Sequence, residues 1–222
     1  MTDYRSSIML EKLPRRILNG KVLIRVFPDE YLKVGNLMLG DIESVHTEKR
    51  RYQPVDHAIR YGEVVLKSSG LSLSENITAH IEVEVGDLVW FDFHSGMTAT
   101  LFEIGKCYYY LLDYASLIVR KRGDEIYPLN GKVLCEPVIK KKAALGYEED
   151  YVDAKEAIVK YVGQVVEHKH KKAAPVKVGD RIITRQPIIF LENDLHLFLD
   201  GNKYRFVSIF NIEGVYEKEP RN

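Results

Sequence analysis

The sequence predicts an all-β protein made of two small barrels in tandem, and three observations carry that reading. Asn19-Gly20-Lys21-Val22-Leu23 reappears as Asn130-Gly131-Lys132-Val133-Leu134, and Val85-Gly86-Asp87-Leu88-Val89 reappears as Val178-Gly179-Asp180-Arg181-Ile182. Between them Gly62-Glu63-Val64-Val65 is matched by Gly163-Gln164-Val165-Val166, so three landmarks keep one order in both halves and mark a duplicated unit. Around these landmarks the apolar residues alternate with polar ones, as in strands with one buried face. A chain of 222 residues holds two units of about a hundred residues, near the common domain size.

The elements follow in order. Residues 1–18 are read as an N-terminal extension. They mix acids and bases without an uninterrupted apolar core, which is unlike a signal peptide, and Ile8 to Ile17 shows a weak helical period. The first unit spans 19–122. It opens with a strand in which Val22, Ile24 and Val26 alternate with Lys21, Leu23 and Arg25. A long polar stretch, Phe27 to Arg60, comes next and holds Gly35-Asn36-Leu37-Met38-Leu39-Gly40 in its middle. A long loop of this kind is usually functional or disordered, and an apolar triplet flanked by glycines looks like a peptide-type binding segment.

Further strands are expected at Ile81 to Val85, at Leu88 to Phe93 and over Tyr108 to Val119. Val85-Gly86-Asp87 reads as a tight turn, since Gly accepts positive φ and Asp caps through its side chain. The charged Arg120-Lys121-Arg122-Gly123-Asp124-Glu125 reads as a linker or turn, loose enough to leave the two units without one forced pose.

The second unit, 123–222, repeats the series with departures. Its opening strand carries Pro137, which lacks a donor and belongs at a strand end or edge. From Gly131 to Gly163 is 32 positions against 42 from Gly20 to Gly62, so the first unit carries the longer loop. Asp153 to Val159 has a helical period. Strands are expected at Arg181 to Phe190 and Tyr204 to Tyr216.

Composition narrows the function. Lys+Arg and Asp+Glu both count 32, which gives no electrostatic support for a nucleic-acid or acidic-membrane partner. Cys107 and Cys135 have no C-x-x-C spacing, so a reducing, cytoplasmic setting is expected and both read as small buried apolar residues. No window approaches the ~18 apolar residues of a membrane helix. His168-Lys169-His170 has alternate histidines that metal binding uses, but no acid or thiol cluster beside them, and reads as a solvated basic turn. Asp92, His94 and Ser95 lie too close along one strand end for relay geometry. Trp90 and Tyr108 to Tyr110 read as core or barrel-contact residues, and Lys140-Lys141-Lys142 as a solvated loop base. No phosphate cradle of the form G-x-x-x-x-G-K-S/T occurs. No enzyme activity, cofactor or metal is expected.

Taken as an ordered set, these residues resemble the GroES-type co-chaperonins, in a two-unit form. The family's opening strand is matched by Gly20 to Val26, its mobile-loop glycine and aliphatic triplet by Asn36-Leu37-Met38-Leu39, its G-E-V strand by Gly62 to Val65, its V-G-D-x-V strand by Val85 to Val89, and its closing segment by Leu112 to Ile118. The second unit offers Lys132 to Val138, Gly163 to Val166, Val178 to Ile182 and Val207 to Ile212. The resemblance implies two GroES-like small β-barrels with long loops, and a roof hairpin that Ser68 to His80 can form and for which Glu167 to Pro175 is too short. It implies that Leu37, Met38 and Leu39 insert into the apical face of a large GroEL-type chaperonin ring that carries the ATP. In the second loop, Lys140 to Gly146, only Leu145 is a large aliphatic, so weaker binding is implied there. It further implies a homo-oligomeric ring, with either an even number of barrels in it or one barrel of each chain outside it. The alternative is a structural or assembly protein that reuses the barrel without chaperonin binding. A relative of the medium-chain alcohol dehydrogenases, whose catalytic domain has a similar barrel, is disfavoured because no G-x-G-x-x-G unit or zinc-ligand cysteine set is present.

Overall fold

The computed structural model describes residues 8–9, 12–26, 33–34, 37–38, 59–92, 95, 99–104, 107–144, 147–186, 197–199 and 202–216. Among these the strands are β1 (Ile8–Met9), β2 (Lys21–Val26), β3 (Lys33–Val34), β4 (Leu37–Met38), β5 (Ile59–Lys67), β6 (Leu71–Leu73), β7 (Ile77–His80), β8 (Leu88–Asp92), β9 (Thr100–Ile104), β10 (Cys107–Asp113), β11 (Leu117–Arg122) and β12 (Glu125–Pro128). They continue as β13 (Lys132–Ala144), β14 (Tyr147–Val162), β15 (Glu167–His168), β16 (Arg181–Thr184), β17 (Leu197–Leu199), β18 (Asn202–Ser208) and β19 (Ile212–Val215). The protein is all-β, as the alternation predicts, although Ile81 to Val85, expected as a strand, forms none and leads from β7 into the Val-Gly-Asp turn.

The duplication is a duplication of topology. One sheet runs β1-β9-β10-β2-β5-β8-β11-β12 and another β17-β18-β13-β14-β16-β19, so the order β10-β2-β5-β8-β11 recurs as β18-β13-β14-β16-β19. A one-turn 3-10 helix, Tyr114–Ser116 in the first unit and Ile209–Asn211 in the second, stands between the last two strands of each.

Local chemistry explains why the two asparagine-glycine motifs fold alike. Asn19 and Gly20 have φ of 60° and 67°, and Asn130 and Gly131 have 56° and 66°, a left-handed pair that Asn and Gly tolerate best. Each turn is closed by Lys21 N–H to the Leu18 carbonyl at 3.3 Å or Lys132 N–H to the Leu129 carbonyl at 3.1 Å. The Val-Gly-Asp turns match as closely. Gly86 and Gly179 have φ of 93° and 86°, and the carboxylates of Asp87 and Asp180 accept from the N–H of Glu84 and Lys177, both at 2.7 Å.

These turns correct the third landmark. Gly86 N–H donates to the Val64 carbonyl and Gly179 N–H to the Val159 carbonyl, both at 2.8 Å, while Val64 and Val159 donate to Asp87 and Asp180 at 2.9 Å. Both ladders also shift register at the same place, between Leu23 and Ile24 and between Leu134 and Cys135. Val64 therefore corresponds to Val159. The Gly163 segment, matched to Gly62 by sequence, follows β14 instead. From Gly20 to Val64 is 44 positions and from Gly131 to Val159 is 28, so the first insertion is longer by more than the sequence match implies.

Other expectations change as well. Asp153 to Val159 is part of β14, not a helix, and Ile8–Met9 pairs in parallel with Phe102–Glu103. Of the two readings of 120–125, linker or turn, the structure shows the turn, which closes the β11/β12 hairpin with Arg122 opposite Glu125. Lys140 to Lys142 lie in β13, opposite Tyr151, Asp150 and Glu149, and are not a loop base. Pro137 sits in β13 opposite Ala157, beyond Cys135, where the pairing with β18 stops, which is an edge position on that side.

The first core gathers Val22, Ile24, Val64, Val89, Phe91, Tyr110 and Leu112, and the second Val133, Cys135, Val159, Ile182 and Val207. The halves are joined by more than chain connectivity. Leu129 and Val166 from the second half are buried in the first core, and Ile118, Val119, Leu134 and Tyr204 form a shared cluster with Trp90, Tyr161 and Phe206. Glu167–His168 adds to the β6/β7 hairpin as a third strand, opposite Thr78 and Ile77.

Candidate functional site

Both units place their long insertion at the same point, between the first two core strands, but build it differently. In the first, Lys33 pairs with Met38 and Val34 with Leu37, an antiparallel contact that sets Leu37 and Met38 on one arm of a short hairpin. Leu39 and most of 27–58 lie outside the described residues, as does Leu145.

In the second unit the insertion is one continuous hairpin. β13 and β14 pair out to Ala144 opposite Tyr147, directly flanking Leu145-Gly146. Its base is held by an ionic cluster where the ladder shifts register. Lys140 Nζ donates to Asp153 at 2.7 Å and to Glu156 at 2.6 Å. Glu156, buried, also accepts from Arg181 Nε at 2.7 Å and from the Tyr216 hydroxyl at 2.8 Å. Burial alone would raise the Glu156 pKa, but the bonds from Lys140, Tyr216 and Arg181 hold it below the ordinary value. The hydrogen bonds to Asp153 and Glu156 likewise raise Lys140. This cluster braces the hairpin, and its donors and acceptors satisfy one another.

The junction between the units holds a buried polar node that the sequence did not point to. Asn130 Nδ2 donates to the carbonyls of Tyr114 at 2.7 Å and Leu117 at 3.0 Å. Gln164 donates through Nε2 to the His80 carbonyl, and its Oε1 accepts from Asn130 N–H at 3.4 Å. The Tyr114 hydroxyl accepts from Glu82 N–H at 3.1 Å, and burial pushes its pKa up. In the sequence, the repeated Asn-Gly and the Gly163-Gln164 landmark mark duplication and say nothing of a contact between units.

The remaining candidates fall as follows. The His168 ring packs on Phe210 at 4.9 Å, and its Nδ1 accepts from His170 N–H at 3.1 Å. Among the described residues no group of three or more His, Cys, Asp or Glu is placed to hold a metal ion. His94 lies outside the described residues, so the Asp92, His94 and Ser95 set is not assembled here. Cys107 and Cys135 are free, and burial pushes the Cys135 thiol up to about 12. Trp90 stacks on Tyr61 at 5.7 Å, and Tyr109 and Tyr110 are buried. No helix among the described residues is long and apolar enough to cross a membrane.

No protein-family model matches the chain, and no curated protein matches it.

Proposed function

We propose that the chain is a tandem co-chaperonin of the GroES type, which caps a large GroEL-type chaperonin ring and does no chemistry of its own. The observation that carries this reading is the repeated strand order with an insertion at the same point in each copy, between β2 and β5 and between β13 and β14. That is the point at which the resemblance puts the chaperonin-binding loop. Both copies are read as small barrels, with Leu37, Met38 and Leu39 as the principal hook and Leu145 as a weaker one. The ATP belongs to the partner.

Magnitudes favour several hooks acting together. Burying each of Leu37, Met38 and Leu39 contributes at most ~1.5 to 3 kcal/mol, while ordering a loop costs ~1 to 2 kcal/mol per residue fixed. One loop alone binds weakly, and display of many on one oligomer multiplies affinity through effective concentration. The test is co-migration with a double-ring chaperonin and nucleotide on gel filtration, using the wild type and a variant with Leu37, Met38 and Leu39 all changed to Asp. Loss of co-migration is expected, and undiminished binding by the variant sinks the loop assignment. An oligomer that never binds a chaperonin ring would instead support a structural or assembly protein.

A further inference from the structure

We infer that Asn19 is a site of spontaneous covalent modification, where an exposed side-chain amide is lost by cyclisation onto the Gly20 nitrogen, and that its counterpart Asn130 is kept from the same reaction by the contact between the units.

The chemistry needs an asparagine, a thermolabile residue, followed by one that leaves the next main-chain nitrogen open to attack. Glycine does so because it has no Cβ. The dipeptide Asn-Gly occurs at 19–20 and at 130–131, whereas Asn76 and Asn211 precede Ile77 and Ile212, whose branched side chains crowd that nitrogen. In the reaction the Gly20 nitrogen gives its proton to water or hydroxide and bonds to Cγ of Asn19. The Cγ–Nδ2 bond breaks, and the amide nitrogen takes a proton from water and leaves as ammonia. Water then opens the cyclic imide. Addition at Cγ gives aspartate, and addition at the Asn19 main-chain carbonyl gives isoaspartate, in which the chain runs through the former side chain and is longer by a methylene.

Local structure does not separate the two sites. The φ angles are 60° and 67° at Asn19 and Gly20, against 56° and 66° at Asn130 and Gly131. Each turn is closed by the same bond, from Lys21 N–H to the Leu18 carbonyl or from Lys132 N–H to the Leu129 carbonyl. Tertiary structure does separate them. Asn130 is 3% exposed, its Nδ2 is held on the carbonyls of Tyr114 and Leu117, and its main-chain N–H donates to Gln164. The group that would have to leave is fixed on two acceptors and shut off from the water that the reaction consumes. Asn19 is exposed. Ser72 closes the Cα side of Gly20, but the nucleophile is its nitrogen, approached from Asn19. Reaction at Asn130 therefore runs only through an opened form, and is slowed by the factor that the opening free energy sets.

Modification at Asn19 reaches into the fold. It adds a negative charge at the entry to β2, and isoaspartate alters the spacing across the bonds that tie this turn to its neighbours, from Lys21 N–H to the Leu18 carbonyl and from Tyr114 N–H to the Gly20 carbonyl at 2.9 Å. The reaction runs one way under these conditions, because the ammonia is lost to solvent. The first unit's opening turn is thus the one that ages, and the second unit's is the one that the fold protects.

The test uses the full chain, incubated at neutral and at mildly alkaline pH, both folded and unfolded in guanidinium chloride. Peptide mapping by mass spectrometry follows the conversion of amide to acid at each Asn-Gly. In the folded chain, loss at Asn19 should be about tenfold or more faster than at Asn130, and in the unfolded chain the two rates should agree within about twofold. Both should rise with pH, because the attacking nitrogen must lose its proton. Gln164→Ala, which deletes the bond to the Asn130 N–H and leaves both dipeptides unchanged, should speed the loss at Asn130 several-fold without changing that at Asn19, with circular dichroism checking that the β signal is kept. An Asn19 that keeps its amide in the folded chain, equal rates at the two sites there, an Asn130 that stays slow when unfolded, or a folded Gln164→Ala chain with an unchanged rate at Asn130 would each overturn the inference.

Discussion

The side-chain amide of Asn130 donates to the main-chain carbonyl of Tyr114 at 2.7 Å, and so ties the first turn of one unit to the last turn of the other. A second donation from the same Nδ2 reaches Leu117 at 3.0 Å. Asn130→Gly keeps the left-handed backbone and deletes both bonds, leaving buried carbonyls without that donor. A loss of about 2 kcal/mol in unfolding free energy is expected, read as a lower urea midpoint. A midpoint equal to wild type would show that the node does not hold the units together.

Gly163 lies against Pro128 so closely that a Cβ would stand 1.7 Å from the Pro128 carbonyl oxygen. The obstacle is backbone, which cannot rotate away. Gly163→Ala should cost about 3 kcal/mol or more, whereas Gly214→Ala, which meets nothing within 4 Å, should change stability by only a few tenths of a kcal/mol. Thermal unfolding of the two variants side by side checks the contrast, and equal midpoints would refute it.

Asp87 and Arg122 give an acid limit. Asp87 is 2% exposed and accepts from Arg122 Nε at 2.7 Å and Nη2 at 2.8 Å. Burial pushes its pKa up, but Arg122 and the Glu84 N–H outweigh that and hold it below the ordinary value. The folded pKa is thus lower than the unfolded one, so the stability from this group is full above the carboxylate range, about pH 4, and is lost as pH falls through the folded pKa. Arg122→Ala should cost about 2 kcal/mol at neutral pH, less than for a fully buried pair because Arg122 is 45% exposed. It should also move the acid-unfolding midpoint, followed by circular dichroism, to higher pH. An unmoved midpoint would contradict this account.

The two hooks should not be equal. A single Leu37→Asp change should weaken chaperonin co-migration at least tenfold, since each oligomer loses one anchor from every first-unit loop. Leu145→Asp should weaken it less, because the second insertion offers only that one large aliphatic. Titration of each variant against the chaperonin ring with nucleotide checks the order, and a larger effect at Leu145 would reverse the assignment.

Much of the fold was legible because it rests on short-range chemistry. Val85-Gly86-Asp87 reads as a turn because Asp87, like Asp180, can reach back to the N–H three residues earlier, whereas Asn19-Gly20 and Asn130-Gly131 were legible only as a repeated landmark, which the structure shows to be a turn with positive φ at both positions. The insertion holding Leu37 and Met38 was also visible, as a polar stretch between two strand patterns. Gly163-Gln164-Val165-Val166 misled because its local likeness to Gly62-Glu63-Val64-Val65 says nothing about which carbonyl a neighbouring strand offers. Asp153 to Val159 misled for a related reason. Its helical period is overridden by a ladder to β13 and by the ties of Lys140 and Arg181 to Glu156.

By itself, then, the sequence determined that this protein is all-β, that it is duplicated, and where its Val-Gly-Asp turns fall, since these depend on residues a few positions apart. The tertiary structure alone decided that Val64 answers to Val159, that the charged 120–125 segment is a turn and not a linker, and that Leu129 is buried where Leu18 is exposed. Those facts depend on partners far apart in the chain, and a residue's own type does not reveal which edge or cavity it will meet.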